Sequence, residues 1–272
     1  IWGWAQQAPA PAASAADHET RIAKLPPAEK AYERYRFWST QQPPRQAPAE
    51  LLKQYRVVLK QRGYGEAEIE EQIRLVVEQG NRSEVQRWNR VLTAEKPTFN
   101  TRPNDFLVEM TAGRKAGKAL DVGMGQGRNA IWLAQQGWEV TGFDPANEAV
   151  KLAQKTAASE GVKITTEVAT AEKFAFGDEK WDLILLSYVS VRELPEILTR
   201  ALRPGGVVVV EGFHRDATKG RSIGGGVVFD TGELVKLFPG LRVVRYEEPV
   251  RKADFGQQMM RVVRYCAEKA AE

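Results

Sequence analysis

The chain has 272 residues, enough for one domain of about 170 to 200 residues with a smaller attachment, and 43% of them are hydrophobic. A single cysteine, Cys266, excludes an internal disulfide framework and any cysteine-rich metal site, and two histidines, His18 and His214, are too few for a histidine-built zinc centre, so no metal is expected. No run approaches the ~18 apolar residues of a membrane span, and the mild positive balance (+4, isoelectric point about 9.1) comes from cations mixed with acids, not from the basic blocks interleaved with aromatics that mark a nucleic-acid surface.

The opening IWGWAQQAPAPAASAA places the small residues Gly3 and Ala5 either side of Trp4. It reads as the end of a secretory signal cleaved after Ala5 with a Pro/Ala-rich linker behind it, or equally as an amino-terminal arm, so export and a cytoplasmic location both stay open. From Asp17 to Ala94 the chain is charged and helical in pattern, with no strand-like alternation. Pro43, Pro44 and Pro48 interrupt it before a helix predicted over 48–62, in which Leu51, Leu52, Tyr55, Val58 and Leu59 fall at helical spacing. Gly63 and Gly65 turn the chain into a second helix over 66–79, with Ile69, Ile73, Leu75 and Val76 inward and Gly80 as the expected stop. A third runs from Ser83 through Val85, Trp88 and Val91. Tyr32, Tyr35, Phe37, Trp38 and Trp88 read first as packing for this layer, with a share in a substrate pocket as the alternative. The layer as a whole is a helical cap, or an element through which two copies could pair.

The stretch from Lys118 to Asp144 organises the rest. Ala119–Val122 is a short apolar run containing Asp121, followed by Gly123, Gly125 and Gly127 at alternate positions and a helical pattern through Ile131, Leu133 and Ala134 that ends at Gly137. A second apolar run ends at Asp144, at the carboxyl tip of the next strand. This is the nucleotide-binding half of an open α/β sheet: the glycines let a ligand approach the backbone, and Asp144 is placed to accept hydrogen bonds from two ribose hydroxyls. A dinucleotide site wants G-x-G-x-x-G, whereas here the spacing is G-x-G-x-G, with Arg128 in the third-glycine position. Asp121 would repel a pyrophosphate but suits a ligand that carries an ammonium group.

Beyond Asp144 the pattern gives a helix over 147–159 and an alternating strand over 162–168. A continuous apolar strand, WDLILLSY, covers 181–188, and its tip carries Ser187, Tyr188, Val189 and Ser190. A helix over 192–202, the turn LRPGG and the strand VVVVEGF follow. His214, Arg215, Lys219, Arg221 and three consecutive glycines from Gly224 then read as a lid. After a helix over 231–238, two apolar strands, 241–246 and 259–265, are expected to pair antiparallel at the sheet edge.

Glycine turn, flanking acids and strand–helix–strand frame together resemble motif I of class I S-adenosylmethionine (SAM) methyltransferases. The run GQGRNAIWLAQQGWEVTGFD is similar to their tellurite-resistance-type branch of small-molecule enzymes. The resemblance covers about 100–268 and implies an α/β, Rossmann-like seven-stranded methyltransferase sheet with strand 7 antiparallel, here behind a helical N-terminal extension. The expected division is an arm at 1–16, an extension at 17–98, both outside the resemblance, and the methyltransferase domain at 99–272. It implies SAM as cofactor, held by residues among Asp121, Gly123, Gly125, Gln126, Gly127, Asn129, Asp144, Pro145, Thr170, Ala171, Ser187 and Tyr188.

The segment FNTRPNDFLVEM from Phe99 is then a helix beside the methionine end, where Asn100, Arg102 or Asn104 would reach the cofactor carboxylate. Thr170 stands where the family has the acid that receives the adenine amino group, so its hydroxyl, the Ala171 amide and Glu172 are the substitutes. The Asp/Asn-Pro-Pro-Tyr sequence of methylases that act on base and amide nitrogens is absent after the fourth strand. The implied reaction is methyl transfer to a small-molecule nucleophile, with Tyr188 and His214 as the candidate catalytic residues. The alternatives are an RNA or protein methyltransferase that docks its substrate on the extension, and a SAM-binding module that transfers nothing, for which Thr170 is the only encouragement.

Overall fold

The computed structural model describes residues 15–43, 48–221 and 223–271. The signal-type segment at 1–5, most of the arm and Pro44 lie outside them. Two compact units emerge: one within residues 2–84 together with 222–225, the other Val85–Arg221 with Gly226–Glu272.

In the first unit, α1 (Ala15–Ile22) packs against α2 (Pro27–Ser39), and α2, α3 (Pro48–Gln61) and the greater part of α4 (Glu66–Leu92) surround one apolar cluster. Tyr35 and Tyr55 meet edge to face inside it, with Leu51, Leu59, Ile69, Ile73 and Val76, so these aromatics are core. Gly80 does not stop a helix as the sequence suggested, because α4 runs through it. A glycine inside a helix costs only about 1 kcal/mol relative to alanine. Gly80 lies on the buried stripe of Ile69, Ile73 and Val76 at helical spacing, and flanking Arg74–Glu78 and Arg82–Glu78 pairs span the turn before it and the position after it. The predicted second and third helices are therefore one.

The last two turns of α4 belong to the second unit. There the chain runs through α5 (Asp105–Thr111), β1 (Lys118–Val122), α6 (Arg128–Gln135), β2 (Glu139–Phe143), α7 (Asn147–Ser159), β3 (Thr165–Glu167), β4 (Trp181–Ser187), α8 (Pro195–Ala201) and β5 (Leu202–His214). It continues through β6 (Val228–Phe229), α9 (Glu233–Leu237), β7 (Arg242–Glu247), β8 (Val250–Lys252) and β9 (Met259–Glu268). Seven strands lie in the order β3-β2-β1-β4-β5-β9-β7, with β6 added to β5 and β8 to β9. The first five are parallel, and β9 inserts antiparallel between β5 and β7. The expected closing hairpin is thus present, with β7 and not the last strand at the edge.

Alternation along the buried strands supplies both faces of the sheet. Leu183, Leu185, Val207 and Val209 pack with Ala130 and Leu133 of α6 and with Phe106 and Leu107 of α5. Ile184, Leu186, Val208 and Val210 pack with Leu198 of α8 and Leu234 of α9. Cys266 is buried in the first of these faces, and burial pushes its thiol up to about 11, so it stays protonated at neutral pH. The strand predicted over 162–168 pairs only at Thr165–Glu167, and the helix predicted over 192–202 begins at Pro195, whose ring suits the first helical turn. The turn at 202–206 joins the ladder of β5 by a register shift opposite Trp181 and Leu183.

Candidate functional site

Strands β1 and β2 run in register, Asp121 beside Gly142 and Val122 beside Phe143, so both predicted acids reach the carboxyl edge of the sheet together. Between β1 and α6 the three glycines take positive φ, 67° at Gly123, 56° at Gly125 and 81° at Gly127, a conformation that side chains disfavour. Space is restricted as well: a Cβ on Gly123 would lie 2.6 Å from Val189 Cγ2, and one on Gly127 2.8 Å from Ala153 Cβ.

Asp144 is buried, and its two oxygens each accept one amide, Gly125 N at 2.9 Å and Ala146 N at 2.8 Å. This ties the glycine turn to the tip of β2 and leaves further lone pairs for ligand hydroxyls. Burial pushes its carboxyl up to about 6 against the pull of the two amides. Asp121 is also buried, yet its Oδ2 has no hydrogen-bond partner among the described residues. Burial above all pushes this carboxyl up to about 7; the Arg128 charge opposes the rise and Asp144 adds to it. A buried carboxylate oxygen with no donor, beside a glycine turn and a second acid, fits a ligand that brings its own cation and a sugar.

Around these acids lies a buried polar network that the sequence reading did not contain. Arg128, in the third-glycine position, donates to Asp254 Oδ2 at 2.7 Å, to Ser187 Oγ at 3.2 Å and to the Arg102 carbonyl at 2.8 Å. Asp254 receives Asn100 Nδ2 on its other oxygen at 2.9 Å. Asn104 Nδ2 bridges Asp254 and Glu211, 2.9 Å to each, and its Oδ1 caps α5 at Leu107 N. Glu211 pairs with Arg264, its register partner on β9, at 2.7 Å, both side chains fully buried. Asn100 and Asn104, proposed from sequence to meet a cofactor carboxylate, thus spend their amides inside the protein, and Arg102 is exposed. One signal was available: Glu211 and Arg264 each interrupt an apolar strand, which the register explains by setting them opposite.

Tyr188, at the tip of β4, holds φ at 59°, an unfavourable conformation for a large side chain. Glu211 fixes it twice, its carbonyl accepting Tyr188 N at 2.7 Å and its Oε1 accepting the phenol at 2.9 Å. The ring meets Phe213 and Phe255 edge to face. Burial, then the Glu211 and Asp254 charges, hold the phenol well above its ordinary range, so it remains a donor. Among the other predicted residues, Asn129 is buried with its Oδ1 accepting Asn104 N at 2.8 Å, and Gln126 and Pro145 are half-buried at the turn and after Asp144. The Thr170 carbonyl opens a turn that receives the Lys173 and Phe174 amides, its hydroxyl bonds Glu172, and Ala171 packs on the apolar core.

His214 ends β5. Its Nδ1 accepts Asp216 N at 3.1 Å, which assigns the proton of the neutral ring to Nε2, directed at Thr231 Oγ1 at 3.0 Å. The Thr231 hydroxyl donates to Glu248 Oε2 at 3.1 Å. Both ring nitrogens are engaged, so the geometry does not offer the base that the sequence suggested.

A parallel α/β sheet with an inserted antiparallel strand, a glycine turn and an acid at the tip of each of its first two strands defines a Rossmann-like methyltransferase fold. Residues 119–206 match the family model of the methyltransferase domain. The chain is 31% identical over 103 residues to a ubiquinone biosynthesis O-methyltransferase of Rhizobium leguminosarum bv. trifolii, covering 36% of this chain and 41% of that protein. It is 30% identical over 135 residues to a 2-heptyl-1-hydroxyquinolin-4(1H)-one methyltransferase of Mycobacteroides abscessus, covering 46% and 60%. Both matches span less than two thirds of the relative's length. The N-methyltransferase NodS of Bradyrhizobium japonicum WM9, solved with S-adenosyl-L-homocysteine (SAH), shares the fold at a TM-score of 0.55 and 20% identity, over 68% of this chain and 97% of that one. Residues 119–206 are thus similar to a methyltransferase domain, and the fold is that of the Rossmann-like methyltransferases.

Proposed function

We propose that this protein transfers a methyl group from SAM to a small-molecule nucleophile. The observation that carries the reading is the partnerless Oδ2 of Asp121, one residue before the tip of β1, beside an Asp144 that keeps free lone pairs. In this assignment Asp121 takes the ammonium of the cofactor's amino-acid tail, Asp144 takes the ribose hydroxyls, and the glycine turn admits the nucleoside. Thr170 and Ala171 are left for the adenine, with a neutral hydroxyl in place of an acid. When bound, SAM supplies a methyl on a sulfonium that needs no acid or base to leave, so alignment and exclusion of water are the tasks left to the protein.

The residues fit that division of labour. Tyr188, Glu211, Asp254 and His214 all have their polar atoms committed within the protein. Trp88 and Phe99 both meet the ring of Phe255, which meets Tyr188 at the tip of β4, and Tyr188 in turn meets Phe213 of β5. An acceptor that arrives ionised, or ionises to water, suits such surroundings. Two relatives are named for O-methylation in ubiquinone biosynthesis and for a 1-hydroxyquinolin-4-one, which supports a hydroxyl on a small ring compound as the acceptor. The test is calorimetry with SAM and SAH, followed by SAH production across phenols, thiols, amines, inorganic oxyanions, RNA and protein. Phenol turnover is the expected result. Turnover of RNA or protein alone, or binding with no turnover of any acceptor, would refute it.

A further inference from the structure

We infer that the last turn of α4, through Asn89, positions the ribose half of the cofactor site; the inference rests on the function proposed above. Helix α7 begins directly after Asp144, and its N-cap, Ala146, provides no side-chain acceptor for the first turn. Two side chains outside the helix fill that gap. Asp144 Oδ1 accepts Ala146 N at 2.8 Å, and Asn89, 59 residues away in sequence, accepts Glu148 N on its Oδ1 at 3.0 Å. The Asn89 amide then donates to Asn147 Oδ1 at 2.9 Å, so both polar groups of one half-buried side chain are committed to the start of α7. A residue needed only for packing has no use for that pair of bonds.

The neighbours of Asn89 hold the same region. Leu92, a turn later, lies 3.2 Å and 3.3 Å through its methyls from where a Cβ on Gly125 would stand, and Gly125 N is the second amide on Asp144. Leu92 also packs with Phe99, Ala146 and Ala149, with Trp88 and Phe255 against them. The end of α4 therefore touches the chain on both sides of the Asp144 carboxylate, the glycine turn before it and the helix start after it. The first amides of a helix have no acceptor within it, and a side chain that supplies one stabilises the helix start. Asn89 supplies one such acceptor, and through it the orientation of the carboxylate that receives the ribose.

The test is a double-mutant cycle on SAH affinity with Asn89→Ala and Asp144→Ala, alongside thermal unfolding of each variant. Asn89→Ala is expected to raise the dissociation constant about three- to tenfold in the wild-type background and less than twofold once Asp144 is gone, because it acts through that carboxylate. Asn89→Asp, which retains an acceptor for the Glu148 amide, is expected to restore most of the loss. An unchanged dissociation constant, or an equal loss in both backgrounds, would overturn the inference. Should Asn89→Ala fail to fold, amide exchange on the wild type decides: SAH should slow exchange at Ala146–Ala149, and exchange there indifferent to SAH would overturn it. Wild type that binds no SAH at all would instead overturn the proposed function.

Discussion

Replacing Asp121 by asparagine should stabilise the free protein and weaken cofactor binding. The carboxyl rises from 3.8 to about 7 in the fold, chiefly through burial. At about 1.4 kcal/mol for each tenfold change in proton affinity, that rise amounts to roughly 4 kcal/mol as a ceiling. A carboxyl held higher in the folded than in the unfolded chain stabilises the fold fully below its unfolded value, and that contribution is lost as pH climbs to the folded one. Above about pH 7 the free protein therefore carries an ionised Asp121 whose Oδ2 has no partner, at its full cost, and Asp121→Asn removes the charge while keeping the shape. Denaturant unfolding at pH 8 should show the variant more stable by about 1–3 kcal/mol, with the advantage shrinking towards pH 4. Calorimetry at pH 8 should show SAH bound more weakly by about 1.5–3 kcal/mol, the range for a lost charged hydrogen bond. A variant that is less stable than wild type at pH 8, or that binds SAH equally well, would refute the reasoning.

Other consequences are equally measurable. Asp144→Ala should weaken SAH by about 1–3 kcal/mol, and an affinity within twofold of wild type would remove the ribose assignment. Wild-type affinity for SAH should rise with pH through the region of about 6 to about 7, where Asp144 and Asp121 ionise, and level off above it, with protons released on binding below pH 7. Calorimetry in buffers of different ionisation enthalpy reads that release, and an affinity flat from pH 5 to 8 would count against it. Tyr188→Phe deletes the phenol donor to Glu211 and should cost about 1–3 kcal/mol of stability by denaturant unfolding. Gly127→Ala combines a φ of 81° with a Cβ contact of 2.8 Å and should destabilise by about 1–3 kcal/mol.

Legibility in the sequence followed the range of the interactions. Strands β1, β2 and β4 were readable because each is a short apolar run with polar or acidic residues at its tip, and that local pattern also located Asp121 and Asp144. The β7–β9 pairing was readable for the same reason. Gly80 misled because glycine takes helical angles as readily as the left-handed angles of a stop, and here its buried place on the apolar stripe keeps it in the helix. The network of Arg128, Asn104, Tyr188, Glu211, Asp254 and Arg264 was invisible because its members come from six separate stretches that only the sheet order brings together. Asparagines 100 and 104 were assigned to a ligand for lack of knowledge of Asp254, which claims both.

The central claim is that two buried carboxylates receive the amino-acid ammonium and the ribose of one nucleoside. A crystal structure of the protein with SAH bound tests it most directly. The account predicts the amino-acid ammonium within hydrogen-bond distance of Asp121 Oδ2 and the ribose hydroxyls on Asp144. A nucleoside bound elsewhere, or an ammonium facing away from Asp121 with its Oδ2 still without a partner, would contradict it.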